Sequence, residues 1–465
     1  MSKTFGLILA AGKGTRMHSE IPKCAYPLLK KPMIEYIVDK LERTMIDEIV
    51  VVVGFKKEAI MDILKDRVKY AEQTEMLGTG HAALAAEAVL GKEEGTTLIQ
   101  PGDMPLMSIK LTNKILTAHR NMGNDLTVVS MDFKNPKSYG RIIRNKYNMI
   151  TAIIEDKDCS NEQKQIHEVN SGVYVIDNQI LFDVLKKIKK NESKGEYYLT
   201  DIVALMHKEC KVGVFNVYDE WLTMGVNDLY SASVAERYLR DEINKSHMLD
   251  GVQMISPNTI TIGHNVVIEP GVSILANTTI TGNSIIRSGA IIGPNTEIHN
   301  SEISQNAEVK HSLVYDSFVG ESSTVGPFAH LRNHADIGAF NRIGNFVEVK
   351  NSKTGEHTKA SHLSYIGDAA VGSRVNFGCG SITVNYDGVN KYQTIIGDDV
   401  FIGCNVNMIA PITIDDKVFI AAGSTVNKDI PTGSLAIGRT KQINKEKYYD
   451  KLIKPKSEKN EKNEK

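Results

Sequence analysis

Residues 7–17 read LILAAGKGTRM, and Pro22-Lys23 follow. An apolar run that breaks into Gly12-Lys13-Gly14 is a strand entering a tight turn. Two glycines there let successive backbone N–H groups face one anion. Lys13, Arg16 and Lys23 add side-chain charge at the same place. The grouping suits a polyphosphate. It is not a Walker loop, because GxxxxGK[ST] is absent, nor a dinucleotide fingerprint, because Met17 stands where the third glycine belongs. Asp103 follows another apolar run and offers a hard oxygen ligand of the kind Mg²⁺ prefers. His362 stands far along the chain among Ser, Tyr and Asp, where an imidazole can serve as a base near neutrality. A bare GxG, an Asp before Pro105 or a lone histidine each occurs in ordinary turns and surfaces, so the elements around them decide.

Those elements are of two kinds. Residues 1–226 alternate strand-like and helix-like stretches: 5–10, then helical spacing over 32–43, five β-branched residues at 49–53, an Ala-rich helix at 81–90 and a strand at 97–100. This pattern predicts an α/β Rossmann-like domain with a parallel sheet and a site at the carboxyl ends of the strands. Residues 227–250 read as one connecting helix. From 251 to 440 an aliphatic residue recurs at every sixth position: Ile262, Ile268, Ile274, Ile280, Ile286, Ile292 and Ile298. The phase slips once, resumes at Val319 and resumes again at Ile396. A period of six is that of a parallel β-helix, each hexad forming one side of a triangular coil. Glycines after the aliphatic, as in Ile343-Gly344 and Ile402-Gly403, are expected to turn corners at positive φ. Residues 383–394 are too polar for a coil side and are expected to loop out, and the charged tail 441–465 to end in disorder.

The bulk numbers narrow the class. Across 465 residues, 55 Lys and Arg balance 56 Asp and Glu, which argues against coating nucleic acid or a membrane surface. The five cysteines are scattered without CxxC spacing and read as reduced cytoplasmic thiols, and no segment has the length of a signal peptide or a membrane span.

The run LAAGKGTRM…PK resembles nucleotidyltransferases that couple sugar 1-phosphates to nucleoside triphosphates. Further pieces of that pattern follow in order: Leu77-Gly78-Thr79-Gly80, Gly102-Asp103, Tyr139-Gly140-Arg141, Glu155, Asn170-Ser171-Gly172, Gly195-Glu196-Tyr197-Tyr198 and Gly225-Val226-Asn227. The resemblance implies that Leu9, Ala10, Ala11, Gly12 and Lys23 hold the nucleotide, with Arg16 and Lys23 catalytic. It gives Gln73, Gly78 and Thr79 to the base, uracil, and Gly140, Glu155, Asn170 and Tyr197 to the sugar. Asp103 and Asn227 would hold Mg²⁺. Pro101 departs from the small or aromatic residue usual before Gly-Asp, and a changed approach of the Asp103 backbone is the expected consequence.

NFVEVK at 345–350, HLSYIGD at 362–368 and NYDG at 385–388 extend the likeness to bifunctional N-acetylglucosamine-1-phosphate uridyltransferases and glucosamine-1-phosphate N-acetyltransferases, over nearly the whole chain. That family has a left-handed β-helix as its second half. The resemblance implies His362 as the base, Arg332, Lys350, Tyr365 and Asn376 for glucosamine 1-phosphate, and Cys379, Asn385, Tyr386, Cys404, Ala422 and Arg439 for acetyl-CoA. Glu348 and Asn385 are candidates to orient the imidazole. Cys379 and Cys404 replace the more usual Ala and Ser and are read as packing. The implied product is UDP-N-acetylglucosamine, a precursor of peptidoglycan and lipopolysaccharide-type polymers, made by a cytoplasmic homotrimer from acetyl-CoA and UTP. Two rival readings, a purely regulatory or assembly coil and a rigid non-enzymatic scaffold, lack a use for His362 and for the cation and carboxylate set respectively.

Overall fold

The computed structural model describes residues 2–17, 19–136, 138–192 and 195–452. The tail expected to be disordered, 454–465, lies outside them. The chain divides into two compact units, Met1–Lys245 and Ser246–Lys465.

In the first unit the sheet order is Val212–Val217, Leu126–Asp132, Glu168–Asp177, Gly95–Pro101, Lys3–Leu9, Glu48–Val53, Lys69–Glu72. Val50 to Val53 are at most 1% exposed, because helices cover both faces, which is why the β-branched run needs no alternation. The sheet is mixed rather than parallel. Glu168–Asp177 runs antiparallel to both of its neighbours. The hairpin Arg141–Arg144 and Ile150–Ile154 lies between it and Leu126–Asp132 in the chain, so the strand re-enters from the opposite end. Its register shifts between Asn170 and Tyr174, a bulge that re-aims Asn170. The connecting helix spans Leu229–Leu249. Its residues Ala232, Val234, Ala235 and Leu239 pack with Met17, Met33, Tyr36 and Leu106 of the first unit.

The second unit is a left-handed parallel β-helix. The inward row holds Ile262, Ile274, Ile280, Ile286, Ile292 and Ile298, each 0% exposed, and continues through Ile343, Ile402 and Ile420 at the same value. Parallel pairing stacks like on like: Ile280 on Ile262, Ile298 on Ile280, Ile420 on Ile402. The period slips more often than the sequence suggests. Sides of five residues separate the buried Ile298 and Ile303, Val309 and Val314, Val314 and Val319, Val349 and Thr354, and Ile366 and Val371. Thr354 and Thr383 fill inward positions without being aliphatic, the second although it was expected to loop out. Thr383 is tolerated there because its Oγ1 accepts from Gly367 N at 2.7 Å and donates to Gly367 O at 3.0 Å. The polar insertion therefore starts later than expected, between the strands Ile382–Val384 and Thr394–Ile396.

The corners also differ from expectation. Gly293 has φ +100°, but most positive φ values fall on the third residue after the inward aliphatic, as in Asn277 (58°), Phe346 (56°), Leu363 (40°) and Asn405 (53°). Gly344 and Gly403 are needed for a different reason. A Cβ on Gly344 would lie 1.9 Å from Ser361 O, and one on Gly403 would lie 2.5 Å from Ala422 N. The next coil's backbone occupies that space. Gly344→Ala should therefore destabilise the β-helix by about 1–3 kcal/mol through forced separation of two coils. Thermal unfolding of the purified variant measures this, and an unchanged midpoint would show that coil spacing does not constrain that position.

Candidate functional site

The strand Lys3–Leu9 ends beside Pro101, its register partner on Gly95–Pro101, so both chains open at the same carboxyl edge of the sheet. Gly102 N donates to Leu9 O at 2.9 Å, which keeps Asp103 at the strand's end. This hydrogen bond forms with Pro101 in place. Its ring packs toward Gly172, where an added Cβ would lie 3.0 Å from Pro101 Cγ, and Gly172 at φ +86° makes the room. A cleft of about 640 Å³ opens here. Leu9, Ala11, Gly12, Arg16, Lys23, Gln73, Gly78, Thr79, Asp103, Glu155 and Asn170 all line it. Ala10 does not: its side chain is 1% exposed and packs in the core with Ile8 and Val51. Gly140 stands behind the wall, where its carbonyl accepts from Asn170 N at 2.8 Å.

The glycine turn has one strained member and one open one. Gly14 has φ +66° and packs on Lys23, whose Cβ would lie 2.4 Å from an added Cβ. Gly12 has nothing within 4 Å of an added Cβ, so its backbone faces free space. Lys23 Nζ is held between Asp103 Oδ2, with which it forms a close ion pair, and Asn227 Oδ1 at 2.7 Å. Arg16 Nη2 donates to the same Asn227 oxygen at 2.8 Å. Two hard oxygens thus converge on one positive charge, which is the donor set a divalent cation uses. Among the described residues no cluster of three or more His, Cys, Asp and Glu could hold a metal. Asp103 and Asn227 fit a divalent ion whose remaining ligands are phosphate oxygens and water.

Gln73 is 4% exposed, and its Nε2 donates to Gly78 O at 3.1 Å. Gly78 has φ +101° and lies against Tyr197, whose carbonyl would be 2.6 Å from an added Cβ. Tyr197 therefore supports this wall of the cleft through its backbone, donating N–H to Leu77 O at 2.7 Å. On the opposite wall Asn170 Nδ2 donates to Tyr174 OH at 2.7 Å, and Thr200 Oγ1 donates to Glu155 Oε1 at 3.2 Å. Burial pushes the Tyr174 hydroxyl pKa up, reinforced by Glu155, so it stays a neutral hydrogen-bonding group. Tyr198, from the quoted Gly-Glu-Tyr-Tyr run, lines the cleft, as do Cys24, Tyr174 and Thr200, which reading the sequence missed because nothing local marks them.

On the β-helix the second set gathers around one edge and one adjoining side. Strands Arg342–Lys350 and Lys359–Gly367 run unbroken through a corner. Asn345 is the register partner of His362 there, and its Oδ1 accepts from His362 Nδ1 at 2.8 Å. An amide oxygen only accepts, so Nδ1–H is the donor in this contact, which in the neutral ring leaves the lone pair on Nε2. The expected orienting groups are elsewhere. Glu348 binds Arg332, with Nη2 at 2.6 Å, and Asn385 binds Asp368 and, at 3.4 Å, Tyr365 OH. Asn345 was discoverable: it lies 17 residues before His362, one coil.

Arg332 pairs in register with Lys350, and Lys350 with Gly367, on the side that also carries Tyr365. Burial pushes the Asp368 carboxyl up, but Asn351, Asn385 and the cations Lys350 and Lys391 hold it below the usual carboxylate range. Lys391, not singled out from sequence, comes from the insertion, and repulsion from Lys350 lowers its pKa. The Asp368 carboxylate faces both cations and offsets part of that repulsion. Asn376 lies on the preceding side of the prism, on a strand paired with Lys359–Ala360, and so is separated by a corner from Tyr365. Cys379, Cys404 and Ala422 follow His362 up the same edge, coil by coil, and Arg439 Nη1 donates to Ala422 O at 2.9 Å. Tyr386 is 56% exposed at the base of the insertion, its hydroxyl donating to Gly388 O at 2.6 Å.

Two family models match the chain: nucleotidyl transferase over residues 5–237 and bacterial transferase hexapeptide (six repeats) over 393–428. The chain is 59% identical over 459 residues to the bifunctional protein GlmU of Acholeplasma laidlawii, covering 99% of this chain and 100% of that one. It is 45% identical to the protein of the same name from Halalkalibacterium halodurans and 44% to that from Enterococcus faecalis, in each case over 97% of this chain and 99% of the relative. Nearly full-length identity at this level carries both halves in one order. The chain belongs to the GlmU family of bifunctional enzymes, a nucleotidyltransferase joined to a hexapeptide acetyltransferase, and works in UDP-N-acetylglucosamine synthesis.

Proposed function

We propose that the cleft of the first unit performs uridylyl transfer through Arg16, Lys23, Asp103 and Asn227, and that the His362 edge performs acetyl transfer. The observation that carries the first assignment is the Lys23 ammonium gripped by Asp103 and Asn227 in the cleft. A phosphate oxygen of N-acetylglucosamine 1-phosphate attacks the α-phosphorus of UTP, and pyrophosphate leaves. The nucleophile is already an anion, so the protein's work is to align two polyanions and screen their charge. Arg16 and Lys23 do the screening, and the N–H groups around Gly12 support the phosphates. When Lys23 exchanges Asp103 and Asn227 for phosphate oxygens, those two residues are left to hold Mg²⁺. Bound there, Mg²⁺ supplies charge neutralisation at the α-phosphate and the departing pyrophosphate. Leu9, Ala11 and the backbone of Ala10 line the nucleoside side, Gln73, Gly78 and Thr79 take uracil, and Gly140, Glu155, Asn170 and Tyr197 take the sugar.

The acetyl step needs a free amine, a base and a held thioester. His362 Nε2 accepts the amine proton of glucosamine 1-phosphate as nitrogen attacks the acetyl carbonyl, the C–S bond breaks and coenzyme A leaves, taking up the proton as its thiol, while Asn345 fixes the tautomer. Arg332 and Lys350 hold the phosphate, with Tyr365 beside them. Asn385, Tyr386, Cys379, Cys404, Ala422 and Arg439 form the acetyl-CoA side. Asn376 sits across a corner from Tyr365, which supports a homotrimer in which the side bearing Asn376 completes a neighbour's site. We assign the enzyme to the cytoplasm, where both nucleotide and acetyl-CoA are available, and its product to envelope polymers. Among the described residues no helix is long and apolar enough to cross a membrane.

Asp103→Ala should abolish uridylyl transfer and leave acetylation intact, while His362→Ala should do the reverse, with a loss on the order of 10²–10⁴ for the missing base. Separate assays of CoA release and pyrophosphate release decide this, and a folded variant that loses both activities would sink the two-site reading. Asn345→Ala should lower kcat for acetylation more than it raises KM and should shift the acid limb of its pH profile, because the ring loses its fixed Nδ1–H. A profile unchanged in shape would mean that Asn345 only packs. Chelation of divalent ions should stop uridylyl transfer and spare acetylation, with Mg²⁺ restoring it.

A further inference from the structure

On one edge of the prism two cysteines stand directly above one another. Phe377 pairs with Ile402 in parallel register. Both chains then continue as Gly-Cys into a left-handed corner, Gly380 at φ +79° and Asn405 at φ +53°. Gly378 N donates to Ile402 O at 2.8 Å before the cysteines, and Asn405 N donates to Cys379 O at 2.8 Å after them. Hydrogen bonds on either side therefore hold Cys379 and Cys404 one strand spacing apart, a Cα separation of about 4.8 Å. That separation falls within the roughly 4.4–6.8 Å that bridged cysteines show. Both thiols are exposed and free. Gly378 and Gly380 beside Cys379 contribute no side chain to cover them. The other three cysteines differ. Cys24 and Cys159 are buried and Cys210 is half-buried. Burial, followed by the Asp103 charge, pushes the Cys24 thiol up to about 12, so it is a poor nucleophile.

We infer that Cys379 and Cys404 form a dithiol site for soft, thiophilic ligands with two exchangeable positions, of which trivalent organoarsenicals are the representative class. Sulfur pairs on a rigid scaffold suit such ligands for two reasons. Soft acceptors prefer thiolate over oxygen or nitrogen. The second sulfur also binds at high effective concentration once the first has bound, so the bridged product resists competing monothiols. With hydrated phenylarsine oxide, each thiol sulfur displaces one hydroxyl from arsenic. Two As–S bonds form, two As–O bonds break, and the two thiol protons leave in two waters. Arsenic stays trivalent, and no oxidant is required. Among the described residues no three His, Cys, Asp or Glu groups are arranged to hold a metal, so the site is a two-sulfur one. His362 lies one coil below Cys379, since Gly380 N donates to Leu363 O at 2.8 Å. A group bridging the sulfurs would stand beside the imidazole. Its consequence for catalysis rests on the proposed reading of this edge as the acetyl-CoA side.

The test treats the full-length enzyme with phenylarsine oxide in excess monothiol, followed by intact mass, thiol titration and peptide mapping. One aryl-arsenic per chain is expected, with loss of two titratable thiols that map to Cys379 and Cys404. A 1,2-dithiol should reverse it, and Cys379→Ala or Cys404→Ser should each remove the adduct. Acetyl transfer should be lost and uridylyl transfer kept. Absence of an adduct in the wild-type enzyme, or an adduct that persists in the double variant, overturns the site. An adduct on both cysteines with acetyl transfer undiminished keeps the dithiol site and overturns the assignment of this edge to acetyl-CoA.

Discussion

Backbone hydrogen bonds from each coil to the next are the constraint on which the second half of this protein depends. They repeat at nearly constant spacing, so any residue of one coil has a fixed neighbour in the next. Asn345 meets His362 for that reason alone, and Cys404 meets Cys379 for the same reason. The interior aliphatics supply the driving force, but they are interchangeable in kind. The register is what converts a periodic sequence into an arrangement of chemistry. It also explains why residues as unsuited to positive φ as Phe346 and Leu363 are held there. The stack on both sides over-determines the corner, and the local cost is borne by the whole.

The first unit solves a different problem by different means. Cations gathered at the mouth of one cleft need oxygen partners to hold them there. Lys23 is held by both Asp103 and Asn227, and Arg16 shares the Asn227 oxygen, so three chain segments far apart in sequence converge. Gly14 lets the turn pass directly over Lys23, while Gly12 leaves the mouth clear. The antiparallel strand Glu168–Asp177 matters here as well. Its bulge turns Asn170 toward the cleft and opens the space that Gly172 gives to Pro101. The proline before Gly-Asp is thereby accommodated with the Gly102–Leu9 hydrogen bond intact.

Much of this was legible from residue order. The six-residue recurrence declared the β-helix, because an inward row must be apolar and every side must be short. The glycine turn, Asp103 and His362 stood out because few residue types suit a polyphosphate grip, a hard oxygen ligand or a base near neutrality. The errors were systematic. Gly344 was assigned to a turn, although the structure shows a close approach of backbones, and the two demands look identical in one dimension. Three five-residue sides between Ile298 and Val319 were read as a single slip, and Thr354 hides another by occupying the inward row without being aliphatic. Glu348 and Asn385 are the partners the sequence offers for His362, yet the group that meets it is Asn345, one coil away.

The sequence by itself determined the fold class, the division of labour between halves and the residue types of both sites, since periodicity and motif order are properties of the chain. Only the tertiary structure decided which groups meet: Lys23 with Asp103 and Asn227, Asn345 with His362, Arg332 with Glu348, Cys379 with Cys404. Hydrogen bonds and ion pairs act over a few ångströms, and those distances are set by sheet register and coil stacking between segments that sequence order leaves far apart.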